Sequence, residues 1–432
     1  MVSITDLLLD YKNQINSATR ILVGYSGGLD SSVMLAAAAQ EEYRERILAV
    51  HINHQIHPEA NQWEQHCRDR AETLGIHFYA EKVTIQSGVG IEEGARNARY
   101  QVFERLLGSE DLILLGHHAD DQVETFLYRL FRGSGVKGLA AIPPKRPLGR
   151  GGLIRPLLKY SKQSLHDLAQ TENIQWIEDP SNVDTQFDRN FIRNELVLLV
   201  KDRWTTADKQ ILNTVEVLRD TDNLIAEVAE QDLHECDLRW EAVGQSLDIS
   251  ALETFSHLRQ DNLLRRLIYQ RQGSQPNQET LGVIRSELLQ AAEDSQPCLR
   301  RSRLEIRRFK KRLYMTPVIP DVSGAEKFLG EWPANENSFE IPGVWKIRRD
   351  GEQDVSLRVY LRRGGERLKP QNRDRSQSLK KLMLEYEVEP WLRDWMPVIY
   401  LGDEIVAIGD RIQCSIFRFQ MQWSIEERSR IR

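Results

Sequence analysis

ILVGYSGGLDSSVMLAAAAQ, residues Ile21 to Gln40, begins as an apolar run of strand length, breaks at Gly27-Gly28 and continues as an alanine-rich helix. Adjacent glycines let a backbone approach a ligand closely. A helix that starts directly behind them points its unsatisfied N–H groups at that ligand. The turn is therefore suited to an anion. A Walker loop would need G-x-x-x-x-G-K-[ST], and neither that spacing nor the lysine is present. Ser26, Gly27, Gly28, Leu29, Asp30 and Ser31 offer hydroxyls, bare amides and one carboxylate instead, a set that binds phosphate oxygens and holds Mg²⁺ through Asp30. A plain strand-to-helix turn with a capping Asp or Ser accounts for the same residues without any ligand.

Outward from this loop, strand-like runs at Ile21–Tyr25, Ile47–Asn53, Phe78–Val83 and Leu112–Gly116 alternate with helical stretches at Ser31–Tyr43, Glu59–Leu74 and Ile91–Leu107. That order predicts an α/β fold with a parallel, Rossmann-like sheet between helices. Ligands of such sheets bind at the carboxyl ends of the strands, so Ser26–Ser32 and Gly116–Asp121 should open onto one crevice. Helices at Ser161–Asn173 and Asp188–Arg203 complete a first domain, 1–205. Helical spacing at Ile211–Cys236, Ala251–Gln272 and Glu279–Ala292, followed by strands within Cys298–Met315, marks a small, mainly helical domain, 206–316. A Pro- and Gly-rich passage then leads into short strands around a helix at Ser378–Tyr386, a C-terminal α+β domain, 317–432.

The chain has 432 residues, too many for one core, and a net charge of −6 with no overall basic bias. Any nucleic acid must be met by local patches. Two exist, Arg300–Arg312 and Arg358–Lys381, with Tyr360, Trp391 and Trp395 as stacking candidates; a solvated charged face is the plainer reading of either. Cys67, Cys236, Cys298 and Cys414 are widely spaced, which fits a reducing cytoplasm. The acidic N-terminus does not read as a signal peptide, and no apolar run approaches the roughly 20 residues of a membrane span. No membrane partner is expected.

In GHHADDQVETFLYRLFRGSG (Gly116 to Gly135), two histidines and three carboxylates crowd a strand end and a helix start. The spacing matches no zinc motif. First-turn acids also favour a helix dipole with no further role. As candidate functional groups, Asp120, Asp121 and Glu124 lie where they can face the crevice with Asp30, supplying carboxylates for Mg²⁺ and for a cationic substrate.

SGGLDSS resembles the PP-loop of the ATP pyrophosphatases, which split ATP between its α- and β-phosphates. HINHQIHPEANQWEQHC, GIEEGARNARYQVFERL, LLGHHADDQVETFLYRLFRGSGVKGL, LIRPLL, and WIEDPSN followed by DRNFIRNEL resemble the catalytic domain of the bacterial isoleucine-tRNA lysidine synthetases. PCLRRSRLEIRRFKKRLY is similar to their middle region, and RRGGERLK with SLKKLMLEYEVEPWLRDWMPVIY to their C-terminal domain. One departure is visible: Gln55-Ile56-His57-Pro58 stands where many relatives carry a Gly-Leu-Arg-like turn, so no arginine role is carried over there.

The resemblance implies a two-step ligation in the cytoplasm, with ATP and Mg²⁺, on isoleucine tRNA with a CAU anticodon. The C2 oxygen of the wobble cytidine attacks the α-phosphate of ATP, and the ε-amine of free L-lysine then displaces AMP to give lysidine. ATP binding falls to Ser26, Gly27, Gly28, Leu29, Asp30 and Ser31, the metal to Asp30, and deprotonation of lysine to Asp121 or Glu124. Arg96, Arg99, Arg189 and Arg193 are candidates for contact with triphosphate or RNA, or equally for salt bridges along their own helices. Association as a homodimer stays open. The rival within the superfamily is a PP-loop tRNA thiolase, which needs thiols near the site, commonly paired; Cys67 is the one cysteine within 1–205. A small-molecule amide-forming ligase leaves the basic C-terminal stretches unexplained.

Overall fold

The computed structural model describes residues 3–40, 42–84, 91–178, 188–292, 295–322, 325–351, 354–371, 373–414 and 417–425. Part of the WIEDPSN segment lies outside them. The chain divides into two compact units, residues 1–223 and 224–432.

In the first unit the elements run α1 (Lys12–Ser17), β1 (Ile21–Gly24), α2 (Leu29–Ala38), β2 (Ile47–Asn53), α3 (Ala60–Thr73), β3 (His77–Lys82), α4 (Ile91–Leu106), β4 (Leu112–Leu114), α5 (Ala119–Phe131), α6 (Val136–Leu139), β5 (Lys145–Leu148), β6 (Gly151–Ile154), α7 (Lys162–Thr171), α8 (Asp188–Phe191) and α9 (Val197–Arg203). One sheet has the order β3-β2-β1-β4-β6-β5, parallel except for β5. The expected parallel sheet is present, extended by a hairpin that the alternation did not reveal. Lys145–Leu148 carries Lys, Arg and Pro on an edge, where an unpaired flank tolerates them.

Period-two alternation divides the core between the faces of this sheet. Ile21, Val23, Ile47, Ala49, Leu112 and Leu114 pack with α2 and α7 on one face. Leu22, Val50, Ile113 and Leu153 pack with Tyr100 and Phe103 of α4 on the other. Helix α2 is buried along nearly its whole length, which is why its sequence is small and apolar, without a polar stripe. Chain order reverses between β1 and β4, and this switch point opens the crevice.

The expected helix at Asp188–Arg203 forms as α8 and α9 joined through a π-turn at Ile192–Leu196. Helix α10 (Ala207–Glu235) contains the division between the units.

The second unit begins with β7 (Arg239–Trp240), β8 (Gln245–Asp248), α11 (Ile249–Glu253), α12 (His257–Gln272), α13 (Gln278–Val283), β9 (Cys298–Arg301), β10 (Leu304–Phe309) and β11 (Arg312–Pro317). The single helix expected over Ala251–Gln272 is two, because the Ser256 side chain accepts from the Arg259 N–H and starts a new helix. An antiparallel sheet of order β7-β8-β11-β10-β9 backs these helices. Leu304, Ile306 and Leu313 belong to its core. Among the remaining described residues, antiparallel strands surround Trp332, Trp345, Val359 and Ile399, with a helix at Leu379–Glu385. Trp395 is a correction: rather than being available for stacking, its ring is buried and donates from Nε1 to the Pro320 carbonyl (2.8 Å), while its backbone carbonyl accepts from Trp345 Nε1 (2.8 Å).

Much of the basic charge here is internally committed. Arg312 binds Asp237 and Ser246, Arg307 binds Glu305, and Arg373 binds Glu385. No helix among the described residues is long and apolar enough to cross a membrane.

Candidate active site

The loop between β1 and α2 owes its shape to two glycines and two serines. Gly27 has φ +89°, and a Cβ there would come within 2.9 Å of Cys67 Sγ and 3.1 Å of Ile177 Cδ1. Only glycine meets both demands. The Ile177 N–H donates to the Gly27 carbonyl (2.9 Å) and closes the loop from behind. Ser31 Oγ accepts from the Ser26 N–H (3.2 Å) and donates to the Gly28 carbonyl (2.9 Å). Gly28 is the N-cap of α2 and Leu29 its first residue, so the first amides of a ten-residue helix face outward, as an anion site requires. Strand β4 ends against this helix: a Cβ on Gly116 would lie 2.9 Å from the Asp30 carbonyl oxygen.

Asp30 and Asp121 meet across the crevice through His118. His118 Nε2 lies 3.6 Å from an Asp30 oxygen and 3.7 Å from an Asp121 oxygen, and its Nδ1 lies 3.5 Å from Asp120. Burial opposes a charged imidazole here, but the three carboxylates outweigh it and His118 is raised above the ordinary histidine value. Asp121 accepts from the His118 backbone N–H (2.9 Å) as part of the α5 cap. Burial works against its charge, yet His118 and that N–H hold it below the usual carboxylate range. Asp30 differs: burial raises it, and its Oδ1 is buried with no hydrogen-bond partner. Asp120 turns to cap α7, accepting from the Lys162 N–H (2.7 Å).

Glu124 and the arginines have distinct placements. Glu124 is 2% exposed and gives both oxygens to Arg193, at 2.6 and 2.9 Å. Burial raises its pKa, against the pull of Arg193. Arg189 lies 3.7 Å from Glu124 and 4.0 Å from Asp121, and Arg193 lies 3.7 Å from Asp121. These arginines are bridged to α5. Arg99 lines the crevice with its Nε buried and unpartnered. Arg96 is exposed and sits over the Tyr100 ring at 5.1 Å.

Two cavities share a wall made by Ser26, Gly28, Asp30, Ile52, His54 and Asp121. The smaller, about 270 Å³, is lined further by Arg99, Phe103, Leu115 and His117. The larger, about 690 Å³, is bounded by Trp63, Lys162, Trp176 and Arg193, and by the departing turn Gln55-Ile56-His57. His57 stacks on Trp63 with ring centroids 4.6 Å apart. Loop, Asp30, Asp121, Arg99 and Arg193 are thus together; Arg96, Arg189, Asp120 and Glu124 line neither cavity. His54, His117, Trp63 and Trp176 carry no role from the sequence, because nothing local in their segments marks which way these side chains face.

Asp30 Oδ1, a buried oxygen without a partner, fits a cation shared with a bound phosphate. Among the described residues no cluster of three metal-ligating side chains exists, so such a cation would take most of its ligands from phosphate and water. The arrangement can hold a polyphosphate on the loop and a cationic group at Asp121, a few ångströms apart.

Comparison with known proteins agrees with this geometry. Residues 3–200 match the family model of a PP-loop domain, residues 247–314 that of the TilS substrate binding domain, and residues 357–427 that of the TilS substrate C-terminal domain. The tRNA(Ile)-lysidine synthase of Coxiella burnetii is 34% identical over 97% of this chain and 95% of its own length. Those of Pseudomonas putida and Pseudomonas aeruginosa are 34% and 37% identical, over 93% and 90% of this chain and 95% and 89% of theirs.

Proposed function

The chain belongs to the tRNA(Ile)-lysidine synthase family, and from that premise we propose how its crevice performs ATP-dependent ligation of lysine to the wobble cytidine of isoleucine tRNA. The protein is a PP-loop ligase that uses ATP and modifies tRNA. In the proposed first step, the C2 oxygen of the cytidine in the CAU anticodon attacks the α-phosphate of ATP and pyrophosphate leaves. In the second, the ε-amine of free lysine attacks C2, the C–N bond forms and AMP leaves with the oxygen. Reading of the AUG codon changes to AUA.

The loop residues Ser26 to Ser31 receive the phosphates through α2 amides and the Ser26 hydroxyl, where charge develops in the transition state. Asp30, aided by its unpartnered oxygen, holds Mg²⁺, which when bound neutralises phosphate charge. Asp121 pairs with the lysine ammonium and takes one of its protons, which frees the lone pair that attacks C2; a second proton leaves that nitrogen once the C–N bond has formed. Of the two candidates, Asp121 suits this role because it faces both cavities. Glu124 anchors Arg193 beside it. Arg99 serves an anionic group in the smaller cavity, and Arg189 and Arg193 serve phosphate or RNA from the α5 side.

We assign catalysis to 1–205 and tRNA contact to 206–316 and 317–432, and the cytoplasm as the place of action. The observation that carries the reading is the placement of Asp121 within reach of both Asp30 and the phosphate loop. A thiolase is less well supported: Cys67 is buried behind the loop, and burial pushes its thiol up to about 12, far from a reactive thiolate.

The test is transfer of labelled free lysine into unfractionated bacterial tRNA with ATP and Mg²⁺, followed by mild alkali. Alkali-stable label that depends on ATP is expected. Pyrophosphate release on adding tRNA, with no lysine incorporated, would overturn the lysine step and leave adenylation standing.

A further inference from the structure

Behind the smaller cavity lies a buried guanidinium that none of these steps uses. Arg155, immediately after β6, is 2% exposed. Its Nε–H donates to His117 Nδ1 (3.3 Å), Nη1 to the Pro143 carbonyl (2.7 Å) and Nη2 to the Tyr100 hydroxyl (3.1 Å). Its backbone N–H donates to the Pro144 carbonyl (2.8 Å). A guanidinium is planar and rigid, and it has donors and no acceptor. The His117 nitrogen it meets must therefore carry the lone pair, so the proton of the neutral ring sits on Nε2. His117 lines the smaller cavity, and Nε2 has no hydrogen-bond partner among the described residues.

The charges around the ring divide. Arg155, with Arg99 and Arg96 from α4, opposes a proton on Nδ1; Asp121 from α5 favours one. Burial is larger than any of them and brings His117 down to about 3. The ring stays neutral through the physiological range.

We propose that Arg155 is a positioning residue for lysine transfer: it locks His117 in the Nε2–H form, so that His117 offers a substrate oxygen in the smaller cavity a donor and never an acceptor. Donors from Arg99 and His117 then line one side of that cavity, and the Asp121 carboxylate closes it where the amine must react. A ligand that enters with its amine and its oxygens exchanged meets donors with donors, and such mismatches discriminate strongly in a buried site. The catalytic part of this inference rests on the lysidine reading; the tautomer does not.

The experiment is ¹⁵N NMR of the full chain labelled at histidine, with the His117 signals assigned by their loss in His117→Gln, alongside the pH dependence of lysine transfer. Wild type should show the neutral Nε2–H pattern unchanged from about pH 5.5 to 8.5, the range in which an ordinary histidine titrates. Arg155→Met should mix the tautomers and lower kcat by roughly tenfold or more, the scale on which partners that fix the tautomer of a metal-bound histidine act, while the ring, still buried, adds no pH inflection. A wild-type His117 that is protonated on Nδ1, or an Arg155→Met variant with the wild-type tautomer and wild-type kcat, overturns the proposal. If Arg155→Met does not fold, Tyr100→Phe removes one anchor of the guanidinium and should still broaden the His117 signals; unchanged signals count against the lock. Wild-type protein with the Nε2–H pattern but no lysine transfer would refute the reaction assigned above, and not the lock.

Discussion

Gly116→Ala places a methyl group against backbone that cannot turn aside. A Cβ at this position lies 2.9 Å from the Asp30 carbonyl oxygen, 3.0 Å from its carbonyl carbon and 3.2 Å from the Ser31 nitrogen, where ordinary contact begins at 3.4 Å. The end of β4 and the first turn of α2 must then separate by about 0.5 Å, the shortfall at the carbonyl oxygen. Overpacking of this kind costs about 1–3 kcal/mol. For a unit of this size the melting temperature should fall by roughly 2–10 °C. The displaced turn carries Asp30 and the phosphate loop, and since about 1 Å of misplacement costs roughly a hundredfold in rate, half of that should cost about tenfold. Calorimetry gives the first quantity, and tRNA-dependent pyrophosphate release the second. Gly28→Ala is the control: φ is −71° and the nearest atom is Ser26 Oγ at 3.6 Å. It should melt no lower than wild type, while KM for ATP rises because the methyl group faces the ligand. Wild-type melting and wild-type kcat for Gly116→Ala would refute the claim that the close approach of β4 sets the position of Asp30.

Asp121→Asn should retain tRNA-dependent pyrophosphate release while lysine incorporation falls by at least about a hundredfold, the range of a lost general base; equal losses in both steps would remove Asp121 from the amine. Asp111, buried and bound to Arg20 Nε (3.1 Å) and the Gly108 N–H (2.7 Å), is raised by burial, but these donors leave it below its ordinary 3.8. A depressed carboxylate stabilises above its unfolded pKa and loses this contribution as pH falls through the folded one. Asp111→Asn should therefore cost about 1.5–3 kcal/mol in urea melts at neutral pH, with the gap to wild type closing below pH 3.8. Cys67 should resist iodoacetamide in the native protein, and Cys67→Ala should still transfer lysine. Loss of transfer with folding intact would revive sulfur chemistry.

Local features carried much of this protein on their own. The strand-glycine-helix stretch at residues 21–40 and the alternation through Leu114 determined the parallel sheet and the position of the phosphate loop, because strand period, helix caps and glycine turns are properties of neighbouring residues. The acidic start of α5 was legible for the same reason. Other features were decided only in three dimensions. Glu124 and Arg193, 69 positions apart, read as a candidate base and a candidate contact for triphosphate or RNA until folding joins them at 2.6 Å. Nothing in LIRPLL marks Arg155 as the partner of His117, and nothing near Trp395 says that its ring is buried. The β5–β6 hairpin is silent in the alternation, since an edge strand can carry charge and proline. A side chain's role depends on what faces it, and in a parallel sheet the facing residues come from strands and helices distant in sequence.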